Sequence, residues 1–265
     1  MPELPEVETI TKQLQSLIIG KQIADLQILH PKSFIGDPQL IIGQKILAIS
    51  RRAKLIKFIL GNDLSLVTHL KMTGQLLYQG SISKHSRLLY QFSDQSQLVF
   101  NDQRLFGYIK LVTSDEWLVI SKKLGPDIND PALTADYLFN KFKNRKVAIK
   151  QALMNNEIVC GLGNIYAAEA LNLAKIGPFR PAQSLSLLEV AKVFQASQKI
   201  IGQAIARGGS TFDGKYVNAS GQSGAYQKQS LVYGRLGQKC YNCGRKIKKK
   251  KLAGRGTYYC SHCQV

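Results

Sequence analysis

The sequence predicts an α+β chain of several domains: a β-sandwich flanked by helices, then a helical domain, then a small β-hairpin closed by cysteines. Three observations predict it. Short apolar runs separated by polar turns fill the stretch to about Thr113, whereas apolar residues recur at helical spacing from Ala135 onward. Breakers separate the two regimes, at Gly125-Pro126-Asp127 and Asp130-Pro131. Two close cysteine pairs, Cys240/Cys243 and Cys260/Cys263, lie near the end. The expected divisions are residues 1–127, 128–230 and 231–265.

A helix opens the chain. Val7, Ile10, Leu14, Leu17 and Ile18 fall at helical spacing, and Gly20 follows as a stop. Pro5 suits the first turn, and Glu6 and Glu8 complement its positive end. Strand-like runs follow at 22–29, 45–50, 54–60, 64–70, 75–78, 87–92, 98–101 and 107–112, with Gly61-Asn62-Asp63 as a turn. Many short strands with polar turns give a β-sandwich. Helices are expected at 135–142, 147–154, 165–174 and 185–206, the last ended by Gly208-Gly209. Gly161-Leu162-Gly163-Asn164 leads into the third of these; it reads as an ordinary helix–helix turn or as a phosphate-holding helix start. Residues 218–224 are Gly/Ser-rich and expected to be a mobile loop.

Composition narrows the partner. The 265 residues hold 45 % hydrophobic residues, ordinary for a globular chain, and no run reaches the length of a membrane span. The expected compartment is the cytoplasm. Lys and Arg number 36 against 17 Asp and Glu, a formal charge of +19 that points to a polyanion, of which nucleic acid is the commonest. From Gly214 to Val265 there is no Asp or Glu and there are eleven Lys or Arg, interrupted by aromatics and cysteines. That pattern suggests an ordered basic surface rather than a solvated tail.

The cysteines are the strongest local signal. Cys240-x2-Cys243, sixteen residues, then Cys260-x2-Cys263 match tetrahedral zinc, with a β-hairpin between the pairs. Disulfides are the competing reading, disfavoured in a cytosolic chain. His262 lies inside the last pair as a possible competing ligand, but four cysteines suffice and leave no open position, so one structural zinc is expected. Cys160 is left over as a buried small hydrophobe.

The first residues, Met1-Pro2-Glu3-Leu4-Pro5-Glu6-Val7-Glu8, carry chemistry. Removal of Met1 ahead of a small residue exposes Pro2 as a secondary α-amine. An α-amine titrates near about 8, so a useful fraction is nucleophilic at neutral pH and able to form Schiff bases. Glu3 sits beside it as a proton carrier. A frayed, inert terminus is the bland alternative.

With these features assembled, the chain resembles bacterial formamidopyrimidine-DNA glycosylase nearly end to end. The resemblance rests on Pro2-Glu3-Leu4-Pro5-Glu6-Val7-Glu8-Thr9, Arg51-Arg52-Ala53-Lys54, His69-Leu70-x-Met72-x-Gly74 and Gly163-Asn164-Ile165-Tyr166. Gly208-Gly209-Ser210-Thr211, Val232-Tyr233-Gly234 and Gly254-Arg255-Gly256-Thr257 extend it. The relatives called endonuclease VIII usually begin Pro-Glu-Gly, and Leu4 favours the first family.

The resemblance implies an N-terminal β-sandwich, a helix–two-turn–helix domain and a zinc finger. It also implies excision of oxidised purines (8-oxoguanine, formamidopyrimidines) from duplex DNA, followed by β,δ-elimination at the abasic site. A monomer is expected, in the cytoplasm with the nucleoid. A buried glycosidic carbon demands that the nucleotide be flipped out. By resemblance Pro2 attacks C1′, Glu3 protonates the ring oxygen, Lys54 donates a proton for β-elimination and Arg255 assists the leaving phosphate. Guanidinium loses protons reluctantly, so charge stabilisation is preferred for Arg255. Met72, Arg104 and Phe106 map to residues that fill the vacated stack. Lys146, Lys150, Asn164 and Tyr166 map to phosphate holders, and His85 to another DNA contact. For Lys54 an exposed strand lysine, and for Met72 and Phe106 core packing, are the bland readings.

Two departures stand out. Lys84-His85-Ser86-Arg87 replaces the usual Lys-His-Asp-His, and Asp102-Gln103-Arg104-Leu105-Phe106-Gly107 replaces Asp-Pro-Arg-Arg-Phe-Gly. The lesion-covering loop falls near 218–224. A non-catalytic, zinc-stabilised DNA-binding protein is the second reading; intact Pro2, Glu3, Lys54 and Arg255 favour the enzyme.

Overall fold

The computed structural model describes residues 2–265; removal of Met1, on which the Pro2 amine depends, lies outside the described residues. Contacts divide the chain into two compact units: residues up to Lys123 with Gly208–Ala225, and Leu124–Arg207 with Tyr226–Val265. Segment 208–225 thus returns to the first unit, and the cysteine-bearing hairpin shares a unit with the helices.

In the first unit, helix α1 (Leu4–Ile18) buries Leu4, Val7, Ile10, Leu14 and Ile18, the face its spacing predicts. Strands β1 (Ile23–Ile28), β2 (Phe34–Ile35), β3 (Ile46–Arg52), β4 (Leu55–Leu60), β5 (Ser65–His69), β6 (Gly74–Tyr78), β7 (Ser86–Phe92), β8 (Gln97–Asp102) and β9 (Tyr108–Val112) follow. They form two sheets, ordered β1-β7-β8-β6 and β2-β9-β5-β4-β3. The short β2 runs parallel to β9, and the neighbours of the other strands are antiparallel. Ile23, Phe58, Leu66, Leu76, Leu88, Phe100 and Ile109 meet Val7, Ile10 and Leu14 of the helix in one core. This is a sandwich with α1 closing its side.

Two features of this unit were not written in the sequence. Helix α2 (Ser114–Lys122) lacks buried residues, so it writes no apolar face into the sequence. Its signal is a capping box: Glu116 N–H donates to Thr113 Oγ1 at 3.2 Å and Thr113 N–H donates to Glu116 Oε2 at 3.0 Å. The stretch 218–224, expected to be a mobile loop, is tied to the rest of its unit through Ala219. Tyr78 N–H donates to Ala219 O at 2.9 Å, and Ala219 N–H donates to Gln13 Oε1 at 2.8 Å. Asn218 holds the rest of the loop, its Oδ1 accepting from the Ser220 N–H at 3.0 Å and the Gln222 N–H at 2.9 Å, and the Gly224 N–H donates to Thr211 Oγ1 at 3.0 Å.

The second unit contains α3 (Ala135–Phe142), α4 (Ile149–Leu153), α5 (Asn164–Leu173) and α6 (Leu187–Ala206), then β10 (Lys248–Leu252) and β11 (Arg255–Tyr259). Helices α3 and α5 pack on α6, and β11 packs on α5. Helix α5 is buried on every side, from Ile165 through Asn172. That is the central-helix pattern rather than a surface stripe. Helix α6 starts at a capping box, with Glu189 N–H donating to Ser186 Oγ at 3.3 Å and Ser186 N–H donating to Glu189 Oε2 at 2.9 Å.

Candidate functional site

Glu6 organises the start of α1. Its Oε2 accepts from the Glu3 N–H at 2.8 Å, and its Oε1 accepts from the Ser210 N–H at 2.7 Å and hydroxyl at 3.0 Å. A residue readable only as a complement to the helix dipole is a buried strut to residue 210. Gly209 fits against it: its φ is +81°, and a Cβ there would lie 2.9 Å from the Glu6 side chain. Pro2 and Glu3 are buried just ahead of the helix.

Lys54 is neither in a strand nor exposed. It occupies the two-residue turn between β3 and β4, where Arg52 faces Leu55 and Ala53 takes a φ of 55°. Only 7 % of it is accessible. Arg51 braces this turn: its Nη1 donates to Ala53 O at 2.8 Å and its Nε donates to Glu8 Oε2 at 2.6 Å. Helix α1 therefore carries both the Pro2–Glu3 start and, through Glu8, the support of the Lys54 turn. His69 pairs with Leu55 beside that turn. Burial, then the charges of Lys71 and Lys54, hold its imidazole down to about 3. Its Nδ1 accepts from the Lys71 N–H at 3.0 Å, so the neutral ring carries its proton on Nε2. His69 lies in the His69-Leu70-x-Met72-x-Gly74 motif, and its place against the Lys54 turn is visible only in the fold.

Met72, Arg104 and Phe106 form one exposed face. Arg104 Nη1 lies 3.1 Å from Met72 Sδ, and the guanidinium carbon lies 4.9 Å from the Phe106 ring centre. Met72 is 38 % exposed and Phe106 54 %, so neither is core. Leu105 stands between them, exposed and with a φ of 59°. The turn is held from below by Asp102, which is fully buried and accepts from the Thr73 hydroxyl, the Arg104 N–H at 3.1 Å and the Gly107 N–H at 2.7 Å. Asp102 was legible only as part of a motif. His85 lines a cavity of about 170 Å³ with Thr73, Gln75, Asn101 and Lys215. The departure at Arg87 has a structural use: its Nε donates to Asp102 O at 2.8 Å and its Nη1 to Lys84 O at 3.2 Å, clipping the His85 turn to the end of β8.

In the second unit Lys150 is 1 % exposed, and its Nζ donates to Asn164 Oδ1 at 2.6 Å and Thr257 Oγ1 at 3.0 Å. Asn164 Nδ2 donates to Gly256 O at 3.2 Å and to the Tyr233 hydroxyl at 3.4 Å. Lys150 thus ties α4 to α5 and β11 and is no surface lysine. The expectation for Tyr166 needs correction: its side chain is fully buried with its ring edge-on to Tyr226 at 5.4 Å, so its hydroxyl is not presented to a DNA backbone. Lys146 is exposed, as is Arg255, which follows the Ala253-Gly254 hairpin turn with φ values of 45° and 79°.

Tyr233 lies in the Val232-Tyr233-Gly234 motif, whose spacing assigns it no role. Its place is set by Glu169, a fully buried carboxylate on α5. Glu169 accepts from the N–H groups of Leu231 at 2.6 Å, Val232 at 2.9 Å and Tyr233 at 2.8 Å, and from the hydroxyls of Tyr226 at 3.0 Å and Ser230 at 3.1 Å. Burial, then the Glu169 charge, push the Tyr226 phenol well above its ordinary range and keep it a donor.

The four cysteines converge. Their Sγ atoms all lie within 4.8 Å of one another, with Cys240–Cys263 at 3.9 Å and Cys243–Cys260 at 3.6 Å. Tetrahedral zinc at its usual Zn–S length needs a separation of about 3.8 Å. Each pair sits on a tight turn: Gly244 N–H donates to Cys240 O at 2.9 Å, and Gln264 N–H donates to Cys260 O at 3.1 Å. Burial, then hydrogen bonds with the neighbouring cysteines, push the Cys263 thiol up to about 12 in the absence of a metal. The site is closed by its own ligands, so it holds one structural zinc and offers no position for substrate.

Comparison with known proteins accounts for all three parts. Residues 1–109 match the model of the formamidopyrimidine-DNA glycosylase N-terminal domain, 124–215 that family's H2TH domain, and 237–265 the zinc finger found in this glycosylase and isoleucyl-tRNA synthetase. Sandwich, helical domain and four-cysteine finger together define a DNA-repair glycosylase of the zinc-finger class. The formamidopyrimidine-DNA glycosylase of Listeria innocua is 39 % identical, and that of Lactobacillus delbrueckii subsp. bulgaricus 40 %, each over 100 % of this chain and 99 % or more of the relative. Among solved structures, MutM (Fpg) of Thermus thermophilus superposes with a TM-score of 0.92 at 34 % identity, covering 99 % of this chain and 98 % of that one. Lactococcus lactis Fpg bound to DNA containing an abasic site matches with a TM-score of 0.92 at 34 % identity, covering 99 % of both chains. The chain belongs to the formamidopyrimidine-DNA glycosylase family.

Proposed function

We propose that this protein is a bifunctional glycosylase and abasic-site lyase that removes oxidised purines from duplex DNA, acting as a cytoplasmic monomer. What supports the reading most is the construction around Glu6, which fixes residues 2 and 3 ahead of a buried helix. With Met1 removed, the Pro2 nitrogen attacks C1′ and the glycosidic bond breaks toward the base, which leaves protonated. Glu3 protonates the ring oxygen as the sugar opens, giving an iminium between Pro2 and C1′. Loss of a C2′ proton then expels the 3′ phosphate, with Lys54 as proton carrier, and a second elimination expels the 5′ phosphate, whose charge Arg255 stabilises. Met72, Arg104 and Phe106, exposed together, fill the gap left by the flipped nucleotide. Support for the substrate class comes from a Lactococcus lactis Fpg variant, 35 % identical, solved in complex with Fapy-dG containing DNA.

Borohydride trapping tests this. The mature protein should become covalently joined to a duplex carrying 8-oxoguanine or an abasic site, with the cross-link on Pro2. A tag ahead of Pro2 should abolish trapping and cutting while the fold survives. A cross-link on Lys54 would refute the nucleophile. Failure to trap or cut any oxidised-base or abasic duplex would favour a damage-binding protein without catalysis.

A further inference from the structure

The second unit carries a groove that the glycosylase reading does not use. It has a volume of about 530 Å³ and lies between the C-terminal end of α5 and the outer side of α6. Leu173, Ile176 and Ala196 contribute its apolar wall, and Lys175, Lys192 and Lys199 its charged rim. The three lysines are exposed. The one acidic side chain of the lining, Glu189, is already spent: Arg180 Nη1 donates to its Oε1 at 2.6 Å and Arg180 Nη2 to its Oε2 at 3.2 Å, and Val265, which also lines the groove, has its O engaged by Arg180 Nη1 at 3.2 Å and the Gly177 N–H at 2.8 Å. The Arg180 pairing, with the Ser186 contacts and against the opposing effect of burial, holds the Glu189 carboxyl down to about 2; its charge is met by the Arg180 guanidinium rather than by the lysines. Leu188 precedes Lys192 by one turn on the same stripe of α6 and is 67 % exposed, which extends the apolar strip beyond the groove.

The groove stands apart from the nucleic-acid residues of its own unit. Asn164 begins α5 and Leu173 ends it, a helix length of about 15 Å. An apolar floor is also the wrong surface for a phosphate backbone, which rewards charge and hydrogen bonds alone. Apolar wall and cationic rim together fit a peptide with bulky apolar side chains among acidic ones.

We propose that this groove is a docking site for an acidic segment of a partner protein, inserting an apolar side chain between α5 and α6. The probe is a fluorescent octapeptide with a leucine and a phenylalanine flanked by aspartates and glutamates, titrated into the full zinc-loaded protein. Anisotropy should rise with saturation. Lys192→Glu with Lys199→Glu should weaken binding at least tenfold, and so should replacing the peptide's two apolar residues with serine at unchanged charge. Far-UV circular dichroism and zinc content of the double variant should match the parent. No binding, equal binding by the double variant, or equal binding of the serine peptide would each overturn the proposal. So would an equal loss of affinity for an undamaged duplex in the double variant, because the lysines would then be contacting DNA phosphate.

Discussion

Asp102 shows how much of the exposed Met72–Arg104–Phe106 face depends on a residue that never reaches it. It is fully buried, and it gathers donors from two turns: the Thr73 hydroxyl on one, the Arg104 and Gly107 N–H groups on the other. Asp102→Ala strands those donors at a cost of roughly 3 kcal/mol, or about 6–12 °C in the melting temperature of the unit that holds it. Differential scanning calorimetry should show that loss, and excision should fall further than affinity for undamaged duplex, because Met72, Arg104 and Phe106 lose their common footing. Carboxylates of this kind were invisible as struts in the sequence: Glu6 meets Ser210 across 204 positions and Glu169 meets Val232 across 63. Motif resemblance places residues near chemistry, but it does not say which of them hold the others. His69 gives a second prediction. Its folded pKa, about 3, lies below its unfolded value near 6.5. The unfolded chain therefore binds the extra proton between those values, so this stability is full above about 6.5 and is lost as pH falls toward 3. Between about pH 6.5 and 5.5, above the range where most carboxylates titrate, His69→Gln should flatten the decline in melting temperature seen in the parent. An unchanged slope would refute the buried neutral imidazole.

Elements were legible where burial is periodic. The sequence range 135–142 coincides with α3, and the strands from β3 to β9 fall within two residues of the expected runs. Helix α2 was missed because it packs too little to leave a stripe, and β2 because two residues carry no period. Lys54 was misplaced by one element for a similar reason. Leu55 begins the strand, and the turn before it contains no Gly, Asn or Asp; Ala53 takes the left-handed φ instead. What holds that turn is Arg51, whose partners lie 2 and 43 positions away. The finger is the opposite case, since its cysteine spacing alone predicted the convergence of four sulfurs. A hairpin of this size has no core of its own beyond a few side chains such as Val232 and Ile247. Its folding free energy should come largely from the metal. Metal analysis should return one zinc per chain. Cys243→Ser should lower zinc retention and unfold β10 and β11 selectively, so that Arg255 loses its position while circular dichroism from α3 to α6 persists. Protein purified without chelator and found free of zinc would sink the claim.

At the scale of the whole molecule the dominant quantity is the charge of +19, and the question is which cations face DNA. Composition cannot separate a lysine that neutralises phosphate from one that holds the protein together. Burial can. Lys150 is 1 % exposed, and its Nζ donates to Asn164 and Thr257, whereas Lys146, four positions earlier, is exposed. Each phosphate neutralised on binding releases condensed counterions and contributes about 0.9 to the slope of log K against log salt. Affinity for an undamaged duplex should therefore fall steeply with salt in the parent. If Lys146 meets one phosphate, Lys146→Ala should lower the slope by about 0.9 and leave the melting temperature unchanged. Lys150→Ala should behave differently. It removes a buried cation from two acceptors and should cost stability and order around Asn164 and Thr257. Its affinity should drop at every salt concentration with little change in slope. A melting temperature equal to the parent's, together with a slope reduced by a full phosphate, would show that the Lys150 ammonium leaves its buried partners to reach the DNA backbone.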